Sequence, residues 1–284
     1  MATRTHQAGM SLISLLIGAT IGILLTGAAG KVYLDSRIAF ATNEVVGATM
    51  ENGRFAIDDL RRTLVMAGRL LQPDTLPFGD PSTELLDGQN PGSSDRIAVI
   101  YGSKRGCYDS QTDANRCQID CLGHDIDKYY GTVIDDSDLV NRLAPEAKIE
   151  FYLSTSAEGV SQLMCSVDDG HPEPLASGIE TFQVLYGWDT DGDRYPNRYV
   201  NATTATANGL WSPKGRIVAL RIGVLASSAD MTLPQAARTM EETDFEVLDV
   251  THSVSPPAGS SKLDKYYRVY TSTISLRNLE AVEQ

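Results

Sequence analysis

The stretch GMSLISLLIGATIGILLTGAAGK, residues 9–31, decides how this chain is organised. From Met10 to Gly30 it contains no charged side chain. As an α-helix rising about 1.5 Å per residue, this run would span roughly 30 Å, the thickness of the hydrocarbon core of a bilayer. Arg4 is the only charged side chain ahead of it, so we expect residues 1–9 in the cytoplasm and the rest of the chain outside.

Three interpretations of this run stay open. A secretory signal peptide has a shorter apolar region, of about 7 to 15 residues, and Ala28, Ala29 and Gly30 would offer it a cleavage site. A plain membrane anchor needs only the apolar length. A glycine before MSLISLL also resembles the class III leader of type IV prepilins, which implies that a prepilin peptidase cuts between Gly9 and Met10 and methylates the new N-terminus.

The segment after Lys31 predicts that the helix continues beyond the membrane. It contains no proline as far as Pro73, and Gly53 marks a predicted bend. Apolar residues recur every three or four positions, as on one face of a helix: Ile57, Leu60, Leu64, Ala67 and Leu71. We therefore predict one long helix over residues 10–72, with its membrane segment at 10–30 and its second half packed on the exported domain.

The rest of the chain contains short alternating or β-branched runs bounded by turn residues, which is the pattern of strands. Six runs have this character: RIAVIY, AKIEFYL, VSQLMCSV, IETFQVLYGW, RIVALRIGVLAS and YYRVYTSTISLRN. One long helix followed by strands indicates an α+β fold in which an antiparallel sheet packs on that helix. The predicted division is a leader at 1–9, the helix at 10–72 and a β-rich head domain at 73–284.

Composition argues against nucleic acid as a partner and against known catalytic motifs. The formal net charge of the 284 residues is −13, so a phosphate backbone would be repelled. None of the four histidines lies in a serine-hydrolase or zincin motif, and no phosphate loop or dinucleotide fingerprint is present. We expect no enzyme activity, no required cofactor and no direct binding of nucleic acid.

All four cysteines lie in the part of the chain that we expect outside the cytoplasm, where disulfides persist. We favour the pairs Cys107–Cys117 and Cys121–Cys165 among the three connectivities. The alternative is a zinc site that uses the same thiols with His124. It is disfavoured because paired C-x-x-C knuckles are missing and the compartment is oxidising.

The stretch DTDGDRYPN is a candidate calcium loop. Its oxygen-bearing side chains have the spacing of ligands in such a loop: Asp189, Asp191, Asp193 and Asn197. The glycine does not occupy the sixth position, and Val200 stands where a calcium loop has its closing glutamate. The alternative is a solvated hairpin turn in which aspartate and glycine serve only backbone geometry.

Several separated segments together resemble the PilW-type minor pilins of type IV pili: IDDLRRTLVMAGRL, LMCSV, LASGIETFQVLYGWDTDGDRYPNRYV, RIVALRIGVLASS and YRVYTSTISLRN. The similarity runs from Gly9 almost to the C-terminus. It implies a type IV pilin fold and a low-abundance subunit of the bacterial inner membrane that helps to initiate a fimbrium and is then carried to the outside. The implied partners are the prepilin peptidase, the assembly platform, the major pilin, other minor pilins and a PilY-type tip adhesin. Adhesion and twitching motility are the implied roles.

Three residues of the apolar run bear on assembly. Gly18 and Gly22 form a small-x-x-x-small pair that would allow another helix to approach closely. Ser14 is the fifth residue counted from Met10, where most type IV pilins carry a glutamate. A subunit with nothing docked above it has no use for that charge, and Ser14 can instead donate its hydroxyl to a backbone carbonyl of the preceding turn, so Ser14 favours a position at or near the filament tip. The alternative is that the serine is a tolerated loss in a subunit whose head contacts suffice. The alternative function is a single-pass, membrane-anchored binding module that does not polymerise.

Overall fold

A computed structural model describes residues 12–71, 76–81, 85–88, 93–103, 118–126, 146–168, 170–212, 216–241 and 243–278. Its helices and strands follow one another as α1 (Leu12–Leu64), β1 (Ile97–Gly102), β2 (Glu146–Thr155), β3 (Ser161–Val167), β4 (Glu173–Ser177), β5 (Ile179–Trp188), β6 (Arg198–Val200), α2 (Ala202–Ala207), β7 (Ile217–Ser227), a 3₁₀ turn (Gln235–Ala237), β8 (Asp244–Val247), β9 (Val250–Ser253) and β10 (Tyr267–Ser275). A long N-terminal helix with antiparallel strands confirms the predicted α+β, pilin-like fold.

Helix α1 is continuous and ends earlier than predicted, at Leu64 rather than near residue 72. At Met66 and Ala67 the backbone bonds reach back three residues instead of four, as in Met66 N–H to the Thr63 carbonyl. Gly68 then adopts a φ of 79° and donates its N–H to the Ile100 carbonyl of β1. The helix therefore ends because its backbone groups are taken over by the edge of a sheet.

Gly53 was predicted as a weak point or bend of the helix, and the structure shows that it has a packing role. A Cβ at this position would collide with the ring of Tyr270 on β10 and lie 3.0 Å from the Cβ of Ala226 on β7. Gly53 is buried in the middle of the face that contacts the sheet. The glycine therefore allows the close approach of helix and sheet.

The strands form two four-stranded antiparallel sheets, where the sequence predicted one sheet. The first has the order β1-β2-β3-β4, and the second has the order β10-β7-β5-β6. Strands β8 and β9 form a separate hairpin. All six predicted strands are present, while β4, β6, the hairpin and the short helix α2 were not predicted.

The main core lies between α1 and the two sheets and includes Leu60, Leu64, Phe151 and Phe182, all fully buried. A smaller cluster consists of Leu225, Phe245, Val247, Leu263 and Tyr267. Leu225 alternates along β7 with residues of the main core, so it points to the opposite face. The β8–β9 hairpin therefore packs on the side of the second sheet that faces away from the helix.

The direction of α1 distinguishes two poles of the head. Near the apolar half, Thr49 donates to the Tyr266 carbonyl and Asn52 to the Ser227 carbonyl, at 3.4 and 3.3 Å. Near the other end, Asn278 donates to the Val65 carbonyl at 3.0 Å. The start of β7 and the end of β10 therefore lie at the pole farther from the apolar half, which we call the distal pole.

Candidate functional site

The first half of α1 presents an uncovered apolar surface. Among the described residues it contains a window with a mean hydropathy of 2.2, none of which is buried, so the helix is long and apolar enough to cross a membrane. Leu12 and Ile23 are each 72 % exposed. Because apolar side chains in water lose the benefit of burial, this surface requires lipid or other protein around it.

The predicted assembly residues lie on this uncovered half. Ser14, Gly18 and Gly22 are exposed, and a Cβ at either glycine would meet no atom within 4 Å. Thr26 returns its hydroxyl to the Gly22 carbonyl at 2.8 Å, which shows how this helix satisfies a hydroxyl in an apolar setting. The predicted cleavage pair, Gly9 and Met10, lies outside the described residues, as does the backbone of the turn to which Ser14 would donate.

The candidate calcium loop connects β5 to β6 at the distal pole. One carboxylate oxygen from each of Asp189, Asp191 and Asp193 lies within 4.8 Å of the others. Asp189 is buried, and the other two aspartates are exposed. The predicted triplet is therefore brought together in space, in a set of hard oxygens of the type that calcium prefers.

Asp189 organises the backbone of the loop. It accepts hydrogen bonds from the backbone N–H groups of Asp191 at 3.1 Å, Gly192 at 2.6 Å and Arg194 at 3.1 Å. Burial acts to raise the pKa of Asp189, but these N–H donors stabilise the carboxylate more strongly, and its pKa lies below the ordinary value. Asp189 is therefore a charged centre around which the loop is folded.

Asn197 does not join the three carboxylates through its oxygen. Its Oδ1 accepts from the Thr190 N–H at 2.7 Å and from the Thr190 hydroxyl at 3.0 Å. Its amide nitrogen donates to Asp191 Oδ2 at 3.1 Å. The side chain therefore closes the hairpin, and it would have to turn over to offer an oxygen to a cation at Asp191.

Residues 150–278 match the family model PilW, described as type IV pilus-assembly protein W. Residues 150–278 form a PilW-type domain. The match starts in β2 and ends just after β10, so it covers both poles of the head and the candidate calcium loop. It confirms the resemblance over these residues and supports involvement of the chain in type IV pilus assembly. No curated protein and no solved structure matches the chain.

The PilW-type domain is joined to the segment ahead of it by a disulfide between Cys121 and Cys165, whose Cα atoms lie 6.5 Å apart. This is the pairing that the sequence analysis favoured. Sulfurs bound to each other are not thiolate ligands, so the alternative zinc site loses Cys121 and Cys165. Cys107 and Cys117 lie outside the described residues.

A buried carboxylate ahead of the matched residues escaped the sequence analysis. Asp95 is 5 % exposed and precedes β1. Its Oδ1 accepts from the Gly88 N–H at 2.7 Å and its Oδ2 from the Val184 N–H at 2.6 Å. Nothing in the local sequence distinguishes it from a loop aspartate, because both donors are supplied by the tertiary fold.

Proposed function

We propose that this chain is a minor pilin that helps to initiate a type IV pilus and is located at or near the filament tip. The supporting observation is the combination of a PilW-type domain with one helix that is buried in the head over its second half and uncovered over its apolar first half. An apolar half exposed in this way fits transfer from a bilayer into a bundle of similar helices, where it would again be covered.

The tip position rests on Ser14. A carboxylate inside an apolar helix costs at least about 2 to 3 kcal/mol near the bilayer centre, so it is expected only where a partner charge compensates it. Quantification and immunolabelling of sheared pili test the proposal. We expect very few copies per filament and label at the ends, whereas label along the whole shaft would contradict a tip position.

The proposed partners follow from this assignment. The prepilin peptidase would cut after Gly9 in the inner membrane, and the assembly platform, the major pilin and other minor pilins would contact the helix and head. A PilY-type tip adhesin would lie above it in the extracellular pilus, which would support adhesion and twitching motility. Loss of pili in a deletion strain, restored by the unaltered gene, is the expected result.

A membrane-anchored binding module that does not polymerise is the alternative, because an uncovered apolar helix also fits a permanent anchor. Sequencing of the mature N-terminus separates the two functions. A methylated Met10 supports the pilin, while an intact N-terminus at residue 1 with all of the protein in the membrane fraction supports the anchor.

We also propose calcium as a ligand of the loop at the distal pole, on the basis of the three neighbouring carboxylates. Calorimetry of the full-length chain in non-ionic detergent tests this. We expect calcium binding that is lost in Asp191→Ala and kept in Asp230→Ala, which alters an exposed aspartate outside the loop. If no heat of binding is measured at millimolar calcium, the loop is a hairpin turn and does not bind calcium.

A further inference from the structure

Three carboxylates from two segments make contacts with β5 or with α2 and its cap: Asp87 and Asp95 from the segment before β1, and Asp249 from the turn between β8 and β9. We call them the carboxylate cluster. The charges of Asp87 and Asp249 both act on Asp95. These residues are not part of the candidate calcium loop.

Each member of the cluster touches a different part of the fold. Asp95 bonds Gly88 and Val184, as described above, and its own N–H donates to the Phe182 carbonyl at 2.8 Å. Asp87 Oδ2 accepts from the Thr203 N–H of α2 at 3.2 Å. Asp249 Oδ2 lies 3.5 Å from the amide nitrogen of Asn201, which caps α2. The cluster therefore links the segment before β1, strand β5, helix α2 and the β8–β9 turn.

No cation among the described residues compensates the charge of the cluster. In the described ranges of the chain, no lysine or arginine makes an ion pair with Asp87, Asp95 or Asp249. Arg96, the nearest cation along the chain, lies 3.4 Å from Glu150 instead. Among the described residues, Tyr186 on β5 is a further titratable group near the cluster and is fully buried, and α2 has no titratable side chain. Ionisation of all three carboxylates therefore places like charges together without relief.

The electrostatics of Asp95 follow from this setting. Burial raises its pKa from the ordinary 3.8 to about 7; the Gly88 and Val184 N–H groups act against this, and Asp87 and Asp249 act with it. Burial, with a contribution from Asp87, also raises the pKa of Asp249. The cluster thus holds a proton at mildly acidic pH that a solvated aspartate would have lost.

We propose that the carboxylate cluster is a proton-dependent clasp that holds α2 and the β8–β9 turn to the segment before β1, closed at mildly acidic pH and loosened at alkaline pH. Between pH 4 and 7 the folded chain binds a proton at Asp95 that the unfolded chain has released. Stability contributed by this group is therefore full below about pH 4 and is lost as the pH rises through 7.

Denaturant unfolding of the full-length chain in non-ionic detergent, at pH 5.5 and pH 8.5, tests the clasp. Asp249→Asn removes one repelling charge and keeps an oxygen for Asn201. We expect the unaltered protein to lose stability between the two pH values and Asp249→Asn to lose less, because the charge of Asp249 adds to the larger effect of burial on the pKa of Asp95. The matched control is Asp230→Asn, which removes an exposed charge remote from the cluster and should behave as the unaltered protein does.

Hydrogen exchange of the same proteins gives a second measurement. The measured quantity is the protection of the peptides that contain Val184 and Thr203, corrected for intrinsic exchange. It should fall from pH 5.5 to pH 8.5 in the unaltered protein, and the fall should be smaller in Asp249→Asn. Equal pH dependence in Asp249→Asn and Asp230→Asn, by unfolding and by exchange, would overturn the clasp.

Discussion

At the scale of single residues, Gly53 should be the least replaceable position on the head-facing side of α1. Replacement by alanine adds one methyl group against Tyr270 and Ala226. Overpacking of this kind costs about 1 to 3 kcal/mol, more than the roughly 1 kcal/mol that alanine gains over glycine in a helix. We expect Gly53→Ala to lower the free energy of unfolding, measured by denaturant titration.

Gly47→Ala is the matched control for this prediction. A Cβ at Gly47 would meet no atom within 4 Å, so only the helix propensity changes. We expect this variant to be as stable as the unaltered protein or up to about 1 kcal/mol more stable. If both substitutions had the same effect, the tight packing at Gly53 would not determine stability.

Asp189 should contribute to stability whether or not the loop binds calcium. Asp189→Ala leaves three backbone N–H groups without their acceptor, which should cost about 1 to 3 kcal/mol at neutral pH. The folded-state pKa is below the ordinary value, so this contribution is present above pH 4 and is lost as the pH falls through the folded-state pKa. Unfolding titrations in EDTA at pH 7 and pH 3 measure it.

Asp193→Ala removes an exposed carboxylate from the same loop and should change stability by less than about 0.5 kcal/mol. A loss as large as that of Asp189→Ala would show that the loop depends on its total charge and not on the buried aspartate. The difference between unaltered protein and Asp189→Ala should shrink at pH 3, and a constant difference would contradict the assigned protonation.

These residues show how far a sequence predicts its own sites. The aspartate triplet was predicted because its members are near in sequence, and the spacing alone brings their oxygens together. The contacts of Asp95 were not predicted, because the N–H groups that donate to it, at residues 88 and 184, belong to different segments of the chain. The packing role of Gly53 was missed because a glycine that bends a helix and one that lies under a tyrosine ring are identical in sequence.

At the scale of elements, the uncovered half of α1 carries the prediction about assembly. Replacement of Gly18 and Gly22 together by leucine should leave membrane insertion intact, because leucine is more apolar than glycine. It should lower the number of pili, because the larger side chains keep neighbouring helices apart. Membrane fractionation and counting of pili by electron microscopy are the measurements.

Gly27→Leu provides the control within the same helix. At 100° per residue, position 27 faces away from position 18, and its Cβ would also meet no atom within 4 Å. We expect near-normal piliation in this variant. Normal piliation in the double variant as well would show that the glycine pair is tolerated in lipid and has no part in assembly.

The elements that were predicted differ physically from those that were missed. Strands such as β5 and β7 are long, buried on both faces and rich in β-branched and aromatic residues, so their pattern is visible without the fold. Strand β6 has three residues, and β4 contains a proline and has a register shift against β3. Strands β4 and β6 are extended only because a neighbouring strand supplies the partners for their backbone hydrogen bonds.

At the scale of the whole molecule, the Cys121–Cys165 bridge should be a major source of stability. It closes a loop with a sequence separation of 44 between its cysteines. Restriction of the unfolded chain by a loop of that length is worth about 4 kcal/mol. We expect the double replacement by serine to lower the free energy of unfolding by about that amount, measured under non-reducing conditions.

The pair Cys107 and Cys117 serves as the comparison. A bridge between them closes a shorter loop, so its removal should cost about 3 kcal/mol, less than removal of the longer one. Peptide mapping of exported protein under non-reducing conditions should recover both bridges. Crossed pairs, or a smaller loss from the longer loop, would contradict this prediction.

The contacts between α1 and the second sheet also determine how the head would respond to a pulling force. Hydrogen bonds join α1 and the turn directly after it to the second sheet and the residues that flank it at Thr49, Asn52 and Val65, over about 24 Å along the helix axis. A load applied between the apolar half of α1 and the distal pole runs along this interface, so it acts in shear and strains these bonds together rather than one after another. A filament subunit built in this way should detach its head slowly under tension, whatever its equilibrium stability.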